Sequence, residues 1–225
     1  MASDAPADAI LVRRPELALS PELPRYWCRG EPFATHFLDA LSSVFPVGEA
    51  FFVRAVVHYQ PEVAECGSPE LAAAVRAFAA QEGRHSLEHD RHVDLLVARG
   101  YSGLATRNRI VDKLLRWTNR KLPRASLGAT AALEHLTAML ARVVLSQEER
   151  FAREMDPRIV RLWRWHALEE AEHKAVAFDV LRLVVRNEHP LRVYMLVTQT
   201  FWLAVETLDR VVYMLWKDGE LFRAR

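Results

Sequence analysis

Seven side chains in this sequence are of the types that hold metal ions: Glu49, Glu82, His85, Glu134, His166, Glu170 and His173. Glu82-Gly83-Arg84-His85 and Glu170-Ala171-Glu172-His173 are two Glu-x-x-His units. On an α-helix, residues three or four apart share a face, so each unit aims a carboxylate and an imidazole at one point. His166 stands four residues before Glu170 and adds a third donor to that face. Two Glu-x-x-His units plus one Glu from each of two further helices form the ligand pattern of two-metal carboxylate bundles. Carboxylates can bridge two cations and offset their charge, while imidazoles add neutral nitrogen. Four Glu and three His suit two metal ions, with iron the expectation and manganese or zinc the alternatives. Coordination positions left open could take dioxygen, water or substrate.

Four helices must position these residues. A turn near residues 60–68, centred at about 65, places Glu49 65 − 49 = 16 residues before the centre and Glu82 82 − 65 = 17 after it. At about 1.5 Å rise per residue the two carboxylates reach nearly the same height in an antiparallel hairpin. The second hairpin is less regular. Glu134 and Glu170 have their midpoint at 152, but the turn signal Asp156-Pro157 lies about one helical turn later. Glu148 and Glu149 are rivals to Glu134, yet they sit in the polar string SQEERFARE. Glu134 sits in ATAALEHLTAML, where an unpaired carboxylate is costly.

The expected elements are a short helix over 35–44, a segment from Pro46 to His58, and a helix from Ser68-Pro69-Glu70 to Arg99, stopped by Gly100. A basic amphipathic helix follows over 105–121. Further helices run from Ser126 to before Asp156-Pro157, over 157–186, and from Pro190 to near Gly219. Two hairpins joined by one long crossover make an all-α, ferritin-like four-helix bundle with a crossover helix and an additional C-terminal helix. Residues 1–32, rich in Pro and Ala, read as an extended arm, and 33–225 as one helical domain. The 225 residues, 51% hydrophobic and 26% charged, suffice for a buried core, and the net charge of +1 points to no polyanionic partner. Cys28 and Cys66 form no metal motif, and the N-terminus lacks the apolar core of a secretory signal. A reducing cytoplasm is the expected compartment.

Four strings carry a resemblance: FPVGEAFFVRAV (45–56), QEGRHSLEH (81–89), ALEHLTAML (132–140) and LWRWHALEEAEHKAVAFDV (162–180). From about residue 35 onward the chain resembles the bacterial family labelled predicted metal-dependent hydrolase, placed among ferritin-like proteins. The ligand order also resembles the p-aminobenzoate N-oxygenase type of di-iron enzyme, in which an extra histidine precedes the last Glu-x-x-His by one turn. His166 occupies that position here.

The expected activity is that of a di-iron, dioxygen-dependent oxidoreductase acting on a small, apolar organic substrate. A di-metal hydrolase is the alternative, and a non-catalytic metal-binding bundle the third reading. His89, one turn beyond His85, is expected to orient a ligand or act as a base. His58, Tyr59 and Asp179 are further orienting candidates, whereas Glu169 and Glu172 are expected to face solvent or basic partners. The crossover carries eight basic residues (Arg99, Arg107, Arg109, Lys113, Arg116, Arg120, Lys121, Arg124) against Asp112, a local charge of +7. A solvated outer face with a packed inner one is favoured there over an anionic membrane surface. No motif supports nucleic-acid binding. The uncharged run 193–205 is 13 residues long, short of a bilayer span, and is expected to serve as a core or homodimer-interface helix.

Overall fold

The computed structural model describes residues 10–223. The expected arm therefore has its first nine residues outside the described ones. From residue 10 to the first helix the chain is extended or turned, and among the described residues nine helices follow: α1 (Pro32–Val57), α2 (Gln60–Cys66), α3 (Pro69–Ala98), α4 (Gly103–Lys121), α5 (Pro123–Ser146), α6 (Glu148–Glu154), α7 (Pro157–His173), α8 (Val176–Val184) and α9 (His189–Lys217). No strand occurs among the described residues, and the fold is all-α. α1 pairs with α3, and α5 pairs with α7 and its continuation α8. Contacts of α1 with α5 and of α3 with α7 close the four-helix bundle. α4 is the crossover between the hairpins, and α9 lies across α1 and α5.

Several ends follow the sequence signals. The Ser68 hydroxyl accepts a hydrogen bond from the Leu71 N–H, capping α3. At the other end Gly100 adopts φ +106°, outside the range most side chains tolerate, and the Tyr101 N–H turns back to the Leu96 carbonyl.

Three expectations fail. Pro46 does not start a helix; it lies inside α1, which runs unbroken through the expected gap. A proline there removes one backbone hydrogen bond, at a cost of about 3 kcal/mol. Burial of Leu41, Val44 and Phe45 before it and Phe51, Phe52 and Val56 after it offsets that cost. α5 stops at Ser146 rather than near 156, because 148–154 has no apolar face: α6 buries none of its residues. The segment expected as one helix over 157–186 breaks at Lys174–Ala175, directly after His173.

The second of these differences repairs the register. Glu134 lies 146 − 134 = 12 residues before the end of α5, and Glu170 lies 170 − 157 = 13 after the start of α7. The one-turn offset came from placing the turn too late. Both hairpins now present their carboxylates at matched heights.

By length and composition, α1 is the one helix among the described residues that could cross a membrane, but 72% of its apolar window is buried in the fold. α9 buries Met195, Thr207, Arg210, Val211 and Met214 and leaves Val197, Phe201, Val205 and Leu208 exposed.

Candidate metal centre

All seven predicted donors converge in the bundle core, from four helices. Glu49 comes from α1, Glu82 and His85 from α3, Glu134 from α5, and His166, Glu170 and His173 from α7. All are buried, at most 3% exposed. They form two three-donor groups: Glu49 with His85 and His166, and Glu82 with Glu170 and His173. Within each group, one potential ligand atom per residue lies within 4.8 Å of the others. Glu170 reaches both groups, with Oε1 2.9 Å from His166 Nε2 and Oε2 3.5 Å from His173 Nε2. Glu134 stands outside both groups, its Oε2 3.4 Å from His173 Nε2.

The unmet bonding of these groups tests whether metal fits. Both oxygens of Glu49, both of Glu134 and Oε2 of Glu82 are buried without a hydrogen-bond partner. His173 Nε2 faces Glu82 Oε1 at 3.0 Å as well as Glu134 and Glu170, yet it is aligned for a hydrogen bond with none of them. Buried polar atoms are almost always paired, so unpaired oxygens clustered at one point mark a missing positive partner. Burial, reinforced by the charges of Glu82, Glu170 and Glu134, raises the Glu49 carboxyl well above its ordinary range. Burial and then Glu170 do the same to Glu134. Burial disfavours charge on His173, but Glu134, Glu170 and Glu82 outweigh it and hold the imidazole well above its usual value. For Glu170, the hydrogen bond from His166 and the neighbouring His173 imidazole overcome burial and hold its carboxyl well down. One imidazolium cannot balance four carboxylates in an apolar core, whereas two cations can. The donor set fits metal ions.

Each histidine is oriented from behind. His85 Nε2 lies 3.0 Å from Glu169 Oε2, which leaves Nδ1 toward Glu82. The His85 ring stacks on His166 at 4.3 Å. His173 Nδ1 lies 2.8 Å from Gln81 Oε1, which leaves Nε2 toward the carboxylates. His166 Nδ1 lies 2.6 Å from His89 Nε2. Partners of this kind fix the tautomer of a ligand histidine.

The N-terminal segment reinforces these contacts. The Arg13 N–H donates to Glu169 (2.7 Å), Gln81 donates to the Leu11 carbonyl (3.0 Å), and the Arg13 guanidinium binds Glu172 (2.6 Å).

Other sequence expectations are corrected here. Glu169 does not face solvent; it is fully buried, with Oε2 against His85 and Oε1 3.7 Å from the guanidinium of Arg13, a basic partner, because the N-terminal segment covers that side of α7. Glu172 does meet its basic partner, Arg13. His58 and Asp179 are exposed, and Tyr59 packs in the apolar core, so none of the three orients a donor. Gln81 went unnoticed in the sequence, although it adjoins the first Glu-x-x-His unit. Both ring nitrogens of His89 are engaged, by His166 and Ser42, which places it behind a donor rather than facing the carboxylates.

Beyond Trp163 lies a small apolar cavity of about 20 Å³, room for about one water, lined by Leu38, Val144, Phe151, Val160 and Trp163 among others. The Trp163 ring in its lining stacks on His166 at 6.3 Å.

Fold and site together define a helical bundle whose buried carboxylates and imidazoles form two candidate metal-binding groups. The chain belongs to the family described as predicted metal-dependent hydrolase, whose model matches residues 11–225. No curated protein and no solved structure matches it. The family corrects the expected activity: a hydrolase takes the place of the dioxygen-dependent oxidoreductase. The error has a physical origin, since the same carboxylates and imidazoles hold redox-active iron and redox-inert zinc alike.

Proposed function

We propose that this protein hydrolyses an ester or amide bond in a small substrate, using two divalent metal ions. The donors would be Glu49, His85 and His166 for one ion and Glu82, Glu170 and His173 for the other, with Glu170 reaching both. The observation that carries the reading is the set of unpaired buried oxygens, in a chain whose family is described as metal-dependent hydrolases. Such ions, when bound, lower the pKa of water and polarise the scissile bond.

The chain's own residues supply the rest. Glu134 stands outside both groups, and neither of its oxygens has a hydrogen-bond partner. It accepts the proton of the attacking water at one of those oxygens and returns it to the leaving oxygen or nitrogen. Water adds across the bond, giving an acid and an alcohol or amine. Glu169, Gln81 and His89 hold the three histidines in register. The Trp163 ring stacks on His166 and helps hold it in place.

The test loads metal-free protein with zinc, manganese or ferrous iron and assays a panel of small esters and amides. Turnover that a chelator abolishes and metal restores is the expected result. Two ions bound per chain, with no hydrolysis in any metal form across the panel, would leave a metal-binding bundle without this activity.

A further inference from the structure

A line of buried polar side chains runs from His166 away from the metal centre, and the proposed function does not use its outer part. His89 Nε2 lies 2.6 Å from His166 Nδ1, and Ser42 Oγ lies 2.8 Å from His89 Nδ1 and 2.7 Å from His92 Nδ1. His92 Nε2 lies 3.3 Å from Asp39 Oδ1, a close contact whose angle falls short of a well-formed hydrogen bond. Asp39 also accepts from the Trp27 indole at 3.0 Å and faces His36 Nδ1 at 3.3 Å. His36 Nε2 continues to Asp218 at 2.9 Å. Ser42, His89, His92, Asp39 and His36 are all at most 1% exposed.

The chain has a direction. An ionised carboxylate only accepts hydrogen bonds, and the hydrogen bond from His36, with the His92 imidazole close by, holds Asp39 ionised against its burial. His92 therefore presents Nε2–H to Asp39, and in its neutral form it accepts at Nδ1. The Ser42 hydroxyl must donate to that Nδ1, so its oxygen accepts from His89 Nδ1–H. His89 then accepts at Nε2 from His166 Nδ1–H. Each group gives one hydrogen bond outward and receives one from inside. The last consequence falls on His166: a hydrogen held on Nδ1 leaves Nε2, 2.9 Å from Glu170 Oε1 and 3.8 Å from Glu49 Oε1, to trade its hydrogen bond to Glu170 for a metal ion.

We propose that Asp39 is a remote positioning residue for the metal centre, fixing through His92, Ser42 and His89 the one tautomer of His166 that can bind metal through Nε2. The proposal rests on the reading of His166 as a ligand. Asp39→Asn is the decisive change, because an amide can donate to His92 and so permits every bond in the line to reverse, leaving the hydrogen on His166 Nε2. Lost orienting partners typically cost about 10–100-fold in metal affinity.

The experiment titrates zinc into metal-free protein and reads histidine ring-nitrogen shifts by NMR. In the wild type, His166 and His89 should carry hydrogen on Nδ1 and His92 on Nε2, with two ions bound. In Asp39→Asn, one ion should weaken by about 10–100-fold while the ion at Glu82, Glu170 and His173 keeps its affinity. Ser42→Ala cuts the line but spares the contacts among Asp39, His36 and Trp27, so it should reproduce that selective loss even if Asp39→Asn folds poorly. Unchanged affinities and tautomers in both variants would overturn the relay alone. A wild-type His166 signal indifferent to zinc would overturn the ligand reading and the relay together.

A second, independent observation concerns α4. Its inner face packs through Leu104, Asn108 and Val111, as expected, yet Ile110, Leu114 and Trp117 form an outward stripe with exposures of 64%, 52% and 48%. Arg109, Lys113, Arg116 and Arg120 run beside that stripe, and Lys121 lies at its end. An apolar stripe with a tryptophan, edged by cations along one helix, complements an anionic lipid surface, where apolar groups enter the headgroup boundary and the cations meet phosphate. The geometry points to that surface as the partner of α4. Sedimentation with phosphatidylcholine vesicles, with or without about one-third phosphatidylserine, tests this. Binding should need the anionic lipid, weaken with salt, and be lost in Ile110→Glu/Leu114→Glu, both sites being exposed. Equal binding to neutral vesicles, no binding to either, or a dimer that the same double variant dissociates would overturn it.

Discussion

The two three-donor groups face each other across Glu170, yet they differ in charge and in support. Glu49, His85 and His166 bring one carboxylate and two imidazoles; Glu82, Glu170 and His173 bring two carboxylates and one imidazole, with Glu134 close by. The nitrogen-rich group leans on a line of histidines that ends at Asp39, inside the α1–α3 hairpin. The carboxylate-rich group leans on Gln81, and through it on the backbone of residue 11. Two centres built from one ligand vocabulary are thus unequal in the charge they offer and in what holds them still. The carboxylate-rich side suits the harder cation, and the nitrogen-rich side suits zinc or iron.

Glu170→Ala is the most destructive way to probe this contrast. If the carboxylate serves both groups, bound metal should fall from two ions per chain toward none, with hydrolysis lost; metal analysis after dialysis reads this. Loss of one ion alone would confine Glu170 to a single group. Glu134→Gln should lower turnover by about 10²–10⁴-fold, the usual contribution of a proton-transferring group, with both ions retained. Loss of metal in that variant would make Glu134 a ligand and end its separate role.

Gln81→Leu should weaken the carboxylate-rich group by about 10–100-fold and spare the other, the mirror image of the Asp39→Asn result. Calorimetric zinc titration distinguishes the two, and equal weakening of both ions would erase the contrast in support.

The smallest effect concerns the far end of the histidine line. Burial disfavours the His36 cation, but hydrogen bonds to Asp39 and Asp218 outweigh it and raise its pKa above 6.5. That contribution to stability is fully present below the unfolded value and is lost as pH rises through the raised folded one. Asp39 and Asp218 are held low, so theirs is present above the unfolded carboxylate value and lost as pH falls through the folded one. His36→Gln should therefore lower the Tm of the metal-free protein most on the acid side of neutrality, by the equivalent of about 1.5–3 kcal/mol for a lost charge-assisted hydrogen bond. Melting curves between pH 5 and 9 would show it as a gap that narrows with rising pH. A gap independent of pH would remove the charged His36.

The convergence of the seven side chains was legible because both Glu-x-x-His units repeat at helical spacing. Glu49 and Glu82 even gave their relative height, since one turn with clear punctuation joins their helices. Pro46 misled because local signals weigh a lost backbone bond without the apolar burial on either side of it. The Gln147 break was hidden by a string of good helix formers, and what ends α5 is the lack of anything apolar to bury after it. Glu169 was misjudged because helical rotation alone turns it away from its neighbour Glu170, and the segment covering that face comes from 156 residues earlier in the chain. His85, His89 and His92 do follow one another at helical spacing, a signal that could have exposed the line. Ser42 and Asp39 belong to a different helix, and only packing brings them to it.

The contact of residues 11–13 with Glu169, Gln81 and Glu172 has a thermodynamic corollary. The same backbone segment braces the partners of His85 in one group and of His173 in the other. If holding those partners in place favours metal, then metal must favour the segment's docking by an equal free energy, because coupling between two binding equilibria is reciprocal. The N-terminal segment is in that sense a tethered effector of the candidate metal centre, and amide hydrogen exchange at Arg13 should slow when the ions are bound.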